Sequence, residues 1–242
     1  MLRRCTATRF KAAVLLSGCG VYDGSEITEA VSCIVHLYRV GATTVKCFAP
    51  DALQHHVINH AVGGPAPNEQ RSCAQEAARI FRGPVGEMKD CTPAQHDCLV
   101  LPGGFGVMKN LSNFAFDGAA GAIRPDVAWA IEEFHKSGKP IGAVCIAPML
   151  LARCLSRLDG VKTAPLGTPL KLTMGSTKGD AAAMASSFGA TLVEAGVREA
   201  VADRARRVVT TPAYMIEGVN QHDVFVGVGH MMDALATLVK EA

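Results

Sequence analysis

No CxxC pair occurs in this 242-residue chain, although it holds nine cysteines. The thiols are odd in number and scattered, which excludes a zinc ribbon and a disulfide-stapled framework. They read as reduced thiols in a reducing compartment. An HExxH frame is also missing, so the cluster His55, His56 and His60 reads as a mixed surface segment rather than a metal site. No apolar run approaches the roughly 18 residues that span a bilayer, which leaves no membrane role. The net charge is only +2, with no long basic run in the body of the chain. That gives no footprint for nucleic acid. GxGxxG is absent, and with it a dinucleotide site. No linker, low-complexity tract or internal repeat divides the chain. With 49% hydrophobic and 19% charged residues, it reads as one domain with a large core over residues 11–242.

Residues 1–10 stand apart. The opening MLRRCTATRFK carries Arg3, Arg4, Arg9 and Lys11 and no acid. Basic, hydroxyl-bearing and acid-poor is the composition of a mitochondrial presequence. A plain basic terminus is the alternative, so the expected location is mitochondrial or cytoplasmic.

What is present is an alternation of β-like and helical patterns. Strands are expected at Ala12 to Leu16, Thr44 to Phe48, Cys98 to Leu101, Pro140 to Val144, Lys171 to Met174, Thr191 to Glu194 and Val208 to Thr211. Helical spacing runs over Glu26 to Tyr38, Ser72 (as N-cap) to Arg82, Pro125 to Lys136, Ala147 to Leu155, Asp180 to Phe188 and Gly229 to Lys240. Residues 49–70 read as loop, with a hairpin suggested by Gly63-Gly64-Pro65. The alternation predicts an α/β fold: a mostly parallel sheet with helices on both faces, its ligand site at the carboxyl ends of the strands.

Three segments converge there. In KPIGAVCIAP an apolar strand ends at Cys145 and a helix follows at once, the logic of a nucleophile elbow. The helix start favours thiolate; a buried structural cysteine is the alternative. LPGGFG, Leu101 to Gly106, ends a strand in glycines. An amide from Gly103 or Gly104, with that of Ile146, suits an oxyanion hole. SGCGVYDGSE, Ser17 to Glu26, leads into a helix and brings Glu26 toward the same cleft, as a dipole partner or as a general acid or base beside the sulfur. No histidine follows Cys145. His222 and His230 near the C-terminus are candidates for a third group, His230 the preferred one. His135, at a helix end, reads as a dipole partner.

SGCGVYDGSE, AARIFRG, LPGGFGVMKNLS, EFHKSGKPIG, CIAP and VVTTPAYM, in this order, resemble the ElbB-like (sigma cross-reacting protein) family of the PfpI superfamily. The resemblance runs from about residue 11 to 240. It implies a flavodoxin-like three-layer sandwich with a class I glutamine-amidotransferase-like fold, and a homodimer. It implies Cys145 as the elbow cysteine and Glu26 as its partner carboxylate. It also implies a glyoxalase III-type lyase activity, turning small 2-oxoaldehydes such as methylglyoxal into hydroxy acids without glutathione, metal or nucleotide. The other reading is a redox-sensing stress protein built on the same cysteine. The branch carries Cys-Ile-Ala-Pro, in keeping with Ile146, whereas EGVNQHDVFVGVGHMM departs from it.

Overall fold

The computed structural model describes residues 9–156 and 168–241. The first eight residues, and with them most of the basic segment, lie outside it. Six strands form the main sheet: β1 (Phe10–Leu15), β2 (Ala42–Phe48), β3 (Cys98–Leu101), β4 (Ile141–Val144), β5 (Val201–Asp203) and β6 (Val208–Thr211). Their order is β2-β1-β3-β4-β6-β5. All neighbours are parallel except β6 and β5. This is the flavodoxin-like order with an added antiparallel edge, and strand order reverses between β1 and β3.

The helices are α1 (Ile27–Arg39), α2 (Cys73–Phe81), α3 (Pro125–Lys136), α4 (Pro148–Leu155), α5 (Asp180–Ser187) and α6 (Gln221–Lys240). Period-two alternation within the strands divides the core. Ala13, Leu15, Leu99, Leu101, Ile141 and Ala143 face α3, α4 and α5. Ala12, Val14, Leu16, Cys98, Val100 and Val144 face α1, α2 and α6. Both sides of the strands are apolar because both faces of the sheet are covered.

Local chemistry sets the element ends. Ser72 caps α2, its Oγ accepting the Gln75 N–H at 3.4 Å. Pro125 and Pro148 sit in the first turns of their helices, where no N–H is needed. The expected hairpin is present as Ile58–Asn59 paired antiparallel with Gly64–Pro65.

The segments at 171 and 191 do not extend the main sheet as expected. Lys171–Leu172 and Thr191–Leu192 pair only with each other, being too short to continue a ladder. Helix α6 starts eight residues earlier than its apolar spacing shows. Asn220 caps it, accepting the Asp223 N–H at 3.0 Å. Gly227 and Gly229 mask that first part: a Cβ on Gly227 would collide with the Val197 carbonyl, and one on Gly229 would come within 2.9 Å of the His36 ring.

Candidate active site

Cys145 closes β4 with φ +61°, a left-handed backbone on a residue with a side chain. Such a conformation costs on the order of 1 kcal/mol and persists only where the surroundings impose it. Its N–H is held by the Thr211 carbonyl at 2.9 Å, and the Ala147 N–H turns back to Val144 O at 3.0 Å. The chain then enters α4 at Pro148. The result is the expected elbow, with the thiol lifted off the sheet end and only 8% of the residue exposed.

Backbone N–H groups of Gly104 and Ile146 bear on the sulfur. These are candidate donors named from the sequence, one of the two glycine-turn amides and that of Ile146; the Gly103 amide is turned elsewhere. Gly103 gives its N–H to Glu29 Oε2 at 2.9 Å, so it positions a carboxyl and is not free for an oxyanion. Close packing fixes this turn: a Cβ on Gly103 would stand 2.6 Å from Cys145 Cβ and 2.7 Å from Glu29 Oε2.

The acid at the sulfur is Glu29, not Glu26. Glu26 is the N-cap of α1: its Oε2 accepts the Glu29 N–H at 2.7 Å, the ordinary work of a capping oxygen. Glu29, one helical turn further, is fully buried, and its carboxyl lies against the Cys145 thiol. Its Oε1 takes no well-formed hydrogen bond, while the thiol and the Tyr214 N–H lie close enough to act on the carboxyl. The sequence held a signal for this. Glu29, Cys33 and His36 follow helical spacing on the buried face of α1, and an acid on that face has to have a partner.

Burial, reinforced by the neighbouring Glu26 charge, pushes the Glu29 carboxyl up to about 8. Burial also pushes the Cys145 thiol well up, with Glu29 adding to it, against the pull of the two amides. The expected standing thiolate is thus corrected: near neutral pH the pair is a thiol beside a protonated carboxyl. Two anions in so dry a place exclude one another.

Tyr214 completes the surroundings. It follows Ala213, whose φ of +46° is a second strained position at the end of the neighbouring strand β6. Its phenol hydrogen-bonds Thr28, the residue before Glu29.

The expected histidine is not in the cleft. His230 is exposed on α6, where its Nδ1–H donates to the Arg198 carbonyl at 2.6 Å. His222 lies exposed in the first turn of the same helix. His135 does not act as a charged dipole partner either: burial, with Arg206 nearby, lowers it to about 4 and leaves it neutral. His55 and His56 group around Phe116. Among the described residues no group of three or more His, Cys, Asp or Glu is arranged to hold a metal ion.

Comparison with known proteins bears on family and fold. Residues 84–163 match the DJ-1/PfpI family model. The chain is 42% identical over 230 residues to the rat "ES1 protein homolog, mitochondrial", covering 95% of this chain and 84% of that protein. It is 43% identical over 222 residues to the human "Glutamine amidotransferase-like class 1 domain-containing protein 3, mitochondrial", covering 92% and 81%. The chain belongs to the ES1 family of DJ-1/PfpI proteins. Among solved structures it is similar to an isoprenoid biosynthesis protein with amidotransferase-like domain from Ehrlichia chaffeensis. It superposes with a TM-score of 0.83 at 33% identity, covering 94% of this chain and 98% of that one. Drosophila melanogaster DJ-1beta, at 16% identity and a TM-score of 0.55, shares the fold.

Proposed function

We propose that this ES1-family chain, with motifs of the ElbB-like branch, is a glutathione-independent glyoxalase III-type lyase acting on small 2-oxoaldehydes through Cys145. The observation that carries the reading is the contact between Cys145 and a protonated, buried Glu29, beneath two converging amides.

The chemistry needs one nucleophile and one group that takes and returns protons. With the carboxyl raised to about 8, Glu29 is mostly protonated at pH 7 and a minor fraction is ionised. That fraction removes the thiol proton as sulfur attacks the aldehyde carbon. The C–S bond forms, and the oxygen takes up negative charge in front of the Gly104 and Ile146 amides. Protonation of that oxygen gives a hemithioacetal. Glu29 then moves a proton from the former aldehyde carbon to its neighbour through an enediol, leaving a 2-hydroxy thioester. Water cleaves the thioester, the hydroxy acid leaves, and the thiol is restored. Overall, aldehyde and water become hydroxy acid, with no external oxidant.

A purely sensing role needs a standing thiolate, which the burial of Cys145 opposes. Enzyme chemistry, with deprotonation on demand, suits the site better.

We further propose a homodimer and a mitochondrial location. An exposed apolar stripe on α1, formed by Ile27, Val31, Val35 and Tyr38, supports the first. The mitochondrial relatives and the basic opening residues support the second. The deciding experiment is lactate formation from methylglyoxal without glutathione, wild type beside Cys145→Ala. Lactate from the wild type alone supports the lyase; lactate from neither ends it. Fusing residues 1–15 to a fluorescent reporter tests location, and a diffuse cytosolic signal removes the import proposal.

A further inference from the structure

Two acids, the buried Glu29 and the half-buried Glu26, flank the turn that packs on Cys145. Glu26 is half-buried and pinned twice: its Oε2 takes the Glu29 N–H at 2.7 Å, and its own N–H bonds Gly103 O at 3.0 Å. It therefore sits between the first turn of α1 and the glycine turn whose next amide, that of Gly104, bears on the sulfur. One helical turn deeper stands Glu29, buried, with Oε1 lacking a well-formed hydrogen bond. On a third side Tyr214 feels Glu26, Glu29 and Cys145 together. The lysine of the glycine-turn segment is engaged elsewhere: Lys109 Nζ donates to Tyr22 O at 2.9 Å and lies 5.6 Å from the Phe105 ring centre.

We infer that Glu26 makes the mouth of the Cys145 cleft a charge filter, which admits uncharged and cationic carbonyl compounds and turns away anions such as 2-oxo acids and sugar phosphates. The inference rests on the reading of Cys145 as the reacting group and names the substrate class of that site. A fixed carboxylate beside a low-dielectric cleft acts on an arriving unit charge strongly enough to shift its rate about tenfold. The same charge has a second use. A 2-oxoaldehyde is neutral and the hydroxy acid made from it is an anion, so the carboxylate that admits substrate helps expel product.

The test uses the full chain and thiol reagents that differ in charge: aminoethyl methanethiosulfonate (cationic), the methyl compound (neutral) and the sulfonatoethyl compound (anionic). In each case the Cys145 sulfur attacks the sulfenyl sulfur, a mixed disulfide forms, methanesulfinate leaves and the thiol proton goes to solvent. Peptide mass spectrometry reads modification at Cys145 separately from the half-exposed Cys19. Rates are divided by those of a small free thiol. At low salt the cationic reagent is expected to outrun the anionic one by about tenfold, and added salt to shrink that ratio. Glu26→Gln should lower it at least about threefold. Glu26→Asn, which keeps a good capping oxygen, should do the same and guards against loss of the helix start.

A normalised ratio near one in the wild type, or one unchanged in both variants, overturns the filter. Charge bias without lactate formation leaves the filter standing and removes the glyoxalase reading. Lactate formation without charge bias removes the filter alone.

Discussion

The backbone N–H of Gly103 is bonded to Glu29 Oε2 at 2.9 Å, so the glycine-rich turn positions a buried acid beside Cys145. One peptide unit holds the proton carrier, and the next, at Gly104, faces the sulfur. The spacing of the two functions is thus set by covalent geometry rather than by side-chain packing.

Gly103→Ala should therefore damage both functions at once. The new methyl meets Cys145 Cβ and Glu29 Oε2, neither of which is the loose end of a flexible side chain. Overpacking of this kind costs about 1–3 kcal/mol. Thermal melting should show the loss, and methylglyoxal turnover should fall further than the melting shift alone accounts for.

Cys145→Ser should abolish lactate formation. Glu29→Gln should cut it by about 10²–10⁴, the usual contribution of a positioned acid or base. Because the ionised carboxyl is the base, kcat/KM of the wild type should rise with pH through about 8. A flat profile across that range, or full activity in Glu29→Gln, would assign the proton transfers to another group.

Glu29 should also mark the pH dependence of stability. Its folded value, about 8, lies above the ordinary 4.5. Between those two values the native state holds more protons than the unfolded chain, so stability is fully present below the lower value and is lost as pH rises through the higher one. Glu29→Gln removes that loss. Its melting temperature should exceed that of the wild type at pH 8–9, with the gap closing towards pH 5. A gap that is constant with pH would contradict the raised carboxyl.

His230→Ala should leave kcat/KM within about twofold, since the ring is exposed and engaged with the Arg198 carbonyl. A loss of turnover comparable to that of Glu29→Gln would bring the histidine back into the mechanism.

The strands that build the site were legible because each is a short run of apolar or β-branched residues with a sharp stop, a proline after Leu101 and Thr211. Cys98–Leu101 and Val208–Thr211 match their expected bounds for that reason. The elbow was legible because Pro148 forces a helix to begin just beyond Cys145. That Glu29 rather than Glu26 meets the sulfur was not legible in the sequence. Both suit the first turn of a helix, and only the contact with Gly103 and Cys145 shows which one enters the cleft. Val201–Asp203 escaped notice because a three-residue edge strand of mixed exposure carries no periodicity of its own. The start of α6 was hidden by glycines that serve packing against α1 and the Val197 loop.

Because β4 lies between β3 and β6, the surroundings of Cys145 come from four stretches far apart in sequence: the cap of α1, the turn after β3, the elbow itself, and the segment that follows β6. None can prepare the sulfur alone. Until the sheet has closed, Cys145 is one ordinary thiol among nine. Any chemistry that needs Glu29 and the two amides beside Cys145 therefore waits for the completion of folding, and an unfolded chain holds these groups apart.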